Sequence, residues 1–282
     1  MTDHECDQDT PGGVYLCQTG ENMSCGACCG LYNVENPTKE NLSAILRQRT
    51  ELFEKTPRDF DALIRFRHQV ESLENQTRPY PEFHHCPYLG FVGEKRSRPG
   101  CLLHPLNTGN NSVDHRGLSH WGGFACATYF CPTCSDLPAR YKKILRISCD
   151  DWYVFGLVVT ETHMLSTFFR LIEQKLSQEL DPAILSNNRK FIDIISRFFS
   201  LKVSWPFRPE HFNCLGNYFF KDNLYPRTPV DYTALGVEKS EKDPVFTALG
   251  SVFSSRKNFE DAETILSNII RDAVNFVVAM ST

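Results

Sequence analysis

The sequence predicts a mainly α-helical protein. An irregular, cysteine-rich region carrying an inserted helical hairpin is expected to pack on a C-terminal helical bundle. Three observations predict this arrangement. Nine of the twelve cysteines fall between Cys17 and Cys134, three of them in the run Cys25-Gly26-Ala27-Cys28-Cys29. The stretch 75–134 is crowded with Gly, Pro, Asn and His, which favour turns over long regular elements. Beyond residue 135, apolar residues recur at helical spacing. The 282 residues accordingly divide into a flexible tail (1–14), a cysteine-cluster metal-binding domain (15–135) and a helical domain (136–282).

Taken in order, Met1-Thr2-Asp3-His4-Glu5 is acidic and has no apolar run, so no secretory segment is expected there. Asn41 to Lys55 consists of helix formers. Thr56 and Pro57 read as N-cap and first residue of a second helix running to Asn75, with Phe60, Leu63, Ile64, Val70 and Leu73 on one face. These two helices form the inserted hairpin and bring Cys28 and Cys29 towards Cys86.

In the second half, Leu165, Phe168, Phe169, Ile172, Leu176 and Leu180 make one helical stripe. Asp181-Pro182 restarts a helix carrying Ile184, Leu185, Ile192, Ile195 and Phe199. Asp243-Pro244 repeats that cap-then-proline pattern. The last helix aligns Ala262, Ile265, Leu266, Ile269, Ile270, Ala273 and Val277. These stripes read as core packing. Val203 to Val237, rich in Pro and aromatics, reads as a long ordered loop.

A net charge of −4 and a pI near 6.1 argue against a nucleic-acid partner, because phosphate binding needs concentrated positive charge. The most apolar run, Val154 to Val159, is interrupted by Gly156 and flanked by Asp150, Asp151 and Glu161, so no membrane span is expected. A cytoplasmic protein is the plain reading. Thiols crowded together in a reducing compartment are expected to ligate metal rather than to form disulfides.

Spacing carries most of the chemistry. The Cys25-x2-Cys28 loop lets two thiolates reach one ion with little strain, as both zinc and iron–sulfur sites require. Cys29 follows Cys28 directly, so in regular backbone it points elsewhere; either the local turn is sharp, or Cys29 serves a second ion or stays free. Downstream come Cys86-Pro87-Tyr88-Leu89 and Cys101-Leu102-Leu103-His104-Pro105. Cys126-x4-Cys131-x2-Cys134 then repeats the spacing of plant-type ferredoxins. Cys131-Pro132-Thr133-Cys134 also has redox-dithiol spacing but lacks the βαβ context. No Cys-x3-Cys-x2-Cys cradle of adenosylmethionine radical enzymes and no glycine-rich phosphate loop appears. Among neighbouring residues, His84 and His85 are alternative ligands, and His104 is expected to hydrogen-bond near the site. Trp121 and Phe124 are candidates to shield it from water. Arg116 suits the negative charge of a thiolate-rich centre. Cys6 belongs to the tail, and Cys149 and Cys214 read as buried free cysteines.

In this order the chain resembles the CxxCxxCC (YkgJ-type) cysteine-cluster family of zinc- or iron-chelating proteins. The matching residues are Leu16-Cys17, Cys25-Gly26-Ala27-Cys28-Cys29, Cys86-Pro87-Tyr88-Leu89, Cys101-Leu102-Leu103-His104, Arg116 and Cys126. The resemblance covers about residues 15 to 135, and Cys131 and Cys134 extend the pattern. It implies metal or iron–sulfur binding. One branch resembles the flagellin lysine N-methylases, which keeps an enzymatic role open.

The expectation is a site built from Cys25, Cys28, Cys29, Cys86, Cys101 and Cys126, with Cys17, Cys131 and Cys134 as further ligands and Arg116 beside the cofactor. The cofactor is an iron–sulfur cluster, with 4Fe–4S favoured, or zinc. Two other readings stand beside a plain metal-binding role. One is an iron–sulfur enzyme acting in electron transfer or protein side-chain modification. The other is a structural zinc module whose helical half binds a protein partner.

Overall fold

Side-chain caps fix where several of the helices begin. The computed structural model describes residues 3–185, 188–210, 212, 215–219 and 227–281. The N-terminal half contains helices α1 (Asp3–Gln8), α2 (Lys39–Glu54) and α3 (Phe60–Leu73), then strands β1 (Leu89–Val92) and β2 (Arg98–Cys101). Short helices α4 (Gly122–Thr128) and α5 (Pro132–Asp136) follow. The rest is α6 (Ala139–Ile147), α7 (Trp152–Val159), α8 (Thr162–Leu176), α9 (Pro182–Leu185), α10 (Arg189–Ser204), α11 (Tyr232–Leu235), α12 (Asp243–Leu249) and α13 (Arg256–Ser281). The protein is mainly helical, as its sequence predicts.

Thr38 caps α2 by accepting from the Asn41 amide. The start of α3 differs from expectation. Asp59, not Thr56, is its cap and accepts from the Ala62 amide at 2.8 Å. The Thr56 hydroxyl instead donates back to the Leu52 carbonyl, so that Pro57 lies in the turn between the helices. The buried face of α3 is Ala62, Leu63, Phe66 and Val70, whereas Phe60 and Leu73 face solvent. Beneath the hairpin of helices, Phe53 of α2 meets Phe66 edge-on, and Phe66 stacks on Tyr88.

The two-stranded antiparallel sheet was not anticipated. Leu89 pairs with Cys101 and Val92 with Arg98, and α2 lies across β1. The strands carry Gly90, Pro99 and Gly100, residues that usually argue against a strand. Gly100 is required here, because a Cβ at that position would sit 2.4 Å from the Val92 side chain.

In the second half, α8, α10, α12 and α13 surround one apolar core that includes Phe168, Phe169, Phe198, Phe246 and Leu266. The α7 helix is buried nearly all round, which explains its uninterrupted apolar sequence. The restart at Asp181-Pro182 gives only α9, and Asn188 caps a separate α10 by accepting from the Lys190 amide. Val203 belongs to α10, so the expected loop begins later, and Tyr232–Leu235 within it is helical. The α13 stripe buries Ala262, Leu266, Ile269, Ile270 and Ala273.

Core packing runs across residue 135. Val14, Leu16 and Met23 join the core of the C-terminal helices, and Trp152, Tyr153 and Leu157 join that of Leu31, Tyr32 and Leu42. The segment expected as a tail is docked too. Arg146 of α6 pairs with Asp7 at 2.9 Å, and Asp7 accepts from the Tyr15 amide. No helix among the described residues is long and apolar enough to cross a membrane.

Candidate metal centre

Every described cysteine is a free thiol, and Cys214 lies outside the described residues. The nine candidate thiols gather in two neighbourhoods.

The first is assembled from both ends of the cysteine region. A tight loop closes between Gln18 and Ser24, and the Cys25 amide donates to the Cys17 carbonyl at 2.9 Å. Cys17 and Cys25 are therefore adjacent although seven residues separate them in sequence. The chain then enters a 3-10 turn, Ala27–Cys29, whose first amide points at the Cys25 sulfur at 3.4 Å. From the other side, α5 supplies Cys131 as its cap residue and Cys134 in its first turn. A hydroxyl pair, Thr133 and Thr162 at 2.7 Å, anchors α5 to α8. Thiol hydrogen bonds link Cys134 to both Cys17 and Cys131. Burial, followed by the charge of Cys28, pushes the Cys25 thiol well above its usual range. Cys17 is raised overall. Its hydrogen bond with Cys134 acts in the lowering sense but is outweighed by burial and the charges of Cys28, Cys25 and Cys131.

The second neighbourhood is built on the β-hairpin. The Cys86 amide donates to the Cys29 carbonyl at 2.8 Å, and Cys101 ends β2. Cys126 comes from α4, and its sulfur lies 3.0 Å from the Ser119 hydroxyl. Burial, then the charge of Cys86, pushes Cys101 up to about 12, and burial pushes Cys86 to about 11. Cys28 and Cys29 share a thiol hydrogen bond, which lowers Cys28 and raises Cys29. Cys28 is the exposed member of the set.

Each neighbourhood has a cation. Arg116 holds Asp114 through two guanidinium nitrogens, reaches the Cys126 carbonyl at 3.5 Å and feels the charges of Cys101 and Cys126. On the other side stands Lys142, which the sequence did not single out. It is 0 % exposed and donates to the Cys134 carbonyl at 2.6 Å and the Gly12 carbonyl at 2.8 Å. Gly12 has φ of +72°, and a Cβ there would fall 2.3 Å from the Cys134 carbonyl oxygen.

Arg49 and Gly30 were also missed. Arg49 is 1 % exposed, grips Glu74 and donates to the carbonyls of Cys86 at 2.8 Å and Leu89 at 3.2 Å. Gly30, with φ of +75°, closes the 3-10 turn, and a Cβ there would fall 1.9 Å from the His84 carbonyl oxygen. A glycine following the Cys28-Cys29 pair was the available signal for such a close approach.

Several expected neighbours sit differently. His85 is buried with Nδ1 on the Gly30 carbonyl at 2.7 Å, while His84 stacks on His120. His104 Nδ1 accepts from the Leu106 amide within its own turn. Trp121 is 55 % and Phe124 84 % exposed, so both face solvent rather than shield the thiols. Cys149 is half-buried, its thiol directed at the Asp151 carbonyl. Cys126 interacts with Cys86 and Cys101, while Cys131 and Cys134 lie with Cys17 and Cys25. The ferredoxin-like spacing is thus split between the two neighbourhoods.

Among the described residues, no group of three or more His, Cys, Asp or Glu side chains is set as a single ion requires. No family model matches the chain, and no curated protein and no solved structure matches it.

Proposed function

We propose that this protein binds iron–sulfur through its clustered cysteines, in the manner of the cysteine-cluster family that its sequence resembles. The observation that carries the reading is the gathering of nine free thiols from five separate chain segments. Thiols that raise one another's pKa are poorly matched to proton-only chemistry. A metal makes such a set favourable by binding it deprotonated.

Iron–sulfur is preferred to zinc on number. A structural zinc takes four ligands, and nine free thiols outnumber what one zinc needs. Iron–sulfur ligation also accepts cysteines that are widely separated in sequence. Cys17, Cys25, Cys28, Cys29, Cys86, Cys101, Cys126, Cys131 and Cys134 are the ligand pool, with Arg116 supplying positive charge beside it. The free thiols accord with a cytoplasmic setting. Solvent-facing Trp121 and Phe124 near Cys126 favour an electron-transfer or protein-modifying role over a sealed structural site.

The test replaces Cys28 and Cys86 together by Ser. Bound metal is expected to disappear and the N-terminal half to loosen. Full metal retention in the double variant overturns the reading.

A further inference from the structure

We propose that residues 6–13 form a releasable cap over the Cys134 side of the cysteine region, held shut by charge rather than by apolar burial. The proposal is independent of the metal-binding reading, because it concerns access to a thiol and not what the thiol holds.

The contacts of this segment differ in kind from those of the rest of the fold. From Cys6 to Gly13 no apolar side chain is buried, and Gln8, Asp9, Pro11, Gly12 and Gly13 face solvent. Apolar anchorage begins at Val14 and Leu16, both fully buried. Gly12 and Gly13, with φ of +72° and +69°, form the joint between the segment and that anchor. The segment is shaped by Thr10, whose hydroxyl donates to the Cys6 carbonyl at 2.7 Å and whose carbonyl accepts from the Gly13 amide at 2.9 Å.

Two cations of α6 fasten it to the body. Arg146 donates to both Asp7 carboxylate oxygens, at 2.9 and 3.2 Å, and Lys142 donates to the Gly12 carbonyl at 2.8 Å. Residues four apart lie on one face of a helix, so both contacts fall along one line. With little apolar surface removed from water, docking is stabilised by these charged contacts.

Beneath the segment lies the end of α5, where helix carbonyls lack intrahelical donors. The same Lys142 ammonium donates to the Cys134 carbonyl at 2.6 Å. Gly12 sits so close to that carbonyl that only a residue without a Cβ fits. Cys134 and Lys142 are both buried under this cover, whereas Cys28 is exposed. Lifting the segment returns Lys142 to water and opens a path to the Cys134 thiol. Salt screens charged contacts near the surface, so the cap opens more often as ionic strength rises.

The test follows alkylation of individual cysteines by iodoacetamide in the native full chain, read by peptide mass spectrometry. A chelator is present so that no metal shields a thiol. Wild-type Cys134 is expected to react more slowly than Cys28, and faster at about 1 M salt than at about 0.05 M. Asp7→Asn removes the charge that Arg146 holds, and Gly12→Ala drives a Cβ into the Cys134 carbonyl. Each should speed Cys134 labelling roughly tenfold, the effect of losing one charged hydrogen-bonded contact on local opening. Cys86, which packs under α2 and α3, should keep its wild-type rate. Unchanged Cys134 labelling in either folded variant overturns the proposal. Equal acceleration of Cys86 does so too, since the whole fold would then have loosened. If the variants fail to fold, the wild type decides, and a Cys134 rate that does not rise with salt overturns the cap. None of these outcomes depends on whether the purified protein carries metal.

Discussion

The amide of Cys86 donates to the carbonyl of Cys29 at 2.8 Å, and so ties the β-hairpin directly to the cysteine turn. Two residues permit this bond. Gly30 leaves room for the chain at His84 and His85, and Arg49 satisfies the Cys86 carbonyl in the next peptide unit.

Gly30→Ala places a side chain in a left-handed conformation and drives its Cβ into backbone. The cost is expected to be about 2–4 kcal/mol, combining strain with a forced displacement. Urea unfolding monitored by circular dichroism measures it. An unchanged midpoint would show that the turn relaxes freely and that the Cys29–Cys86 link is not constrained there.

Arg49→Met keeps the apolar length of the side chain but leaves Glu74 and two carbonyls without their partner. Removing one member of a buried pair costs about 3–5 kcal/mol. The same variant should bind less metal, because the Cys86 carbonyl loses its anchor. Wild-type thermal stability would contradict this account of Arg49.

A pH dependence follows from the helical core. Buried Glu161 accepts from Lys202 and from Arg227 at 2.9 Å, so one carboxylate faces two cations. Burial pushes Lys202 down to about 7, with the Arg227 charge adding to the effect against the attraction of Glu161. An unfolded lysine titrates near 10.4. Between about pH 7 and 10.4 the unfolded chain therefore holds more protons, and this group makes stability rise with pH. Below about 7 both states are charged and the slope vanishes. Lys202→Met should remove that alkaline rise at a cost of about 1–2 kcal/mol, since Glu161 keeps Arg227. Glu161→Gln strands two buried cations and should cost about 3–5 kcal/mol at neutral pH. Denaturant midpoints across this pH range decide the matter, and a K202M profile parallel to wild type would refute it.

The helical half was legible because its apolar residues recur with the period of a helix, and Leu165, Phe168, Phe169 and Ile172 are all buried as that period requires. The β-hairpin was not, because Pro99 and Gly100 carry turn chemistry and Gly100 is chosen for contact with Val92. The docking of residues 3–14 escaped for another reason. It depends on Asp7 meeting Arg146 and Gly12 meeting Lys142, contacts distant in sequence and without periodicity. The cysteines themselves stood out, but spacing does not say which thiol meets which. Cys126 and Cys131 are near in sequence yet belong to different groups, whereas Cys17 and Cys134 are far apart and share a hydrogen bond. The one local clue was the Cys28-Cys29 pair, two adjacent thiols held in a single tight turn.

The most direct test of the central claim is metal and acid-labile sulfide analysis of the anaerobically purified protein, with its absorption spectrum. Iron with matching sulfide and a brown chromophore is the predicted result. Zinc without sulfide, or thiols that all titrate as free in a metal-free protein, would contradict it.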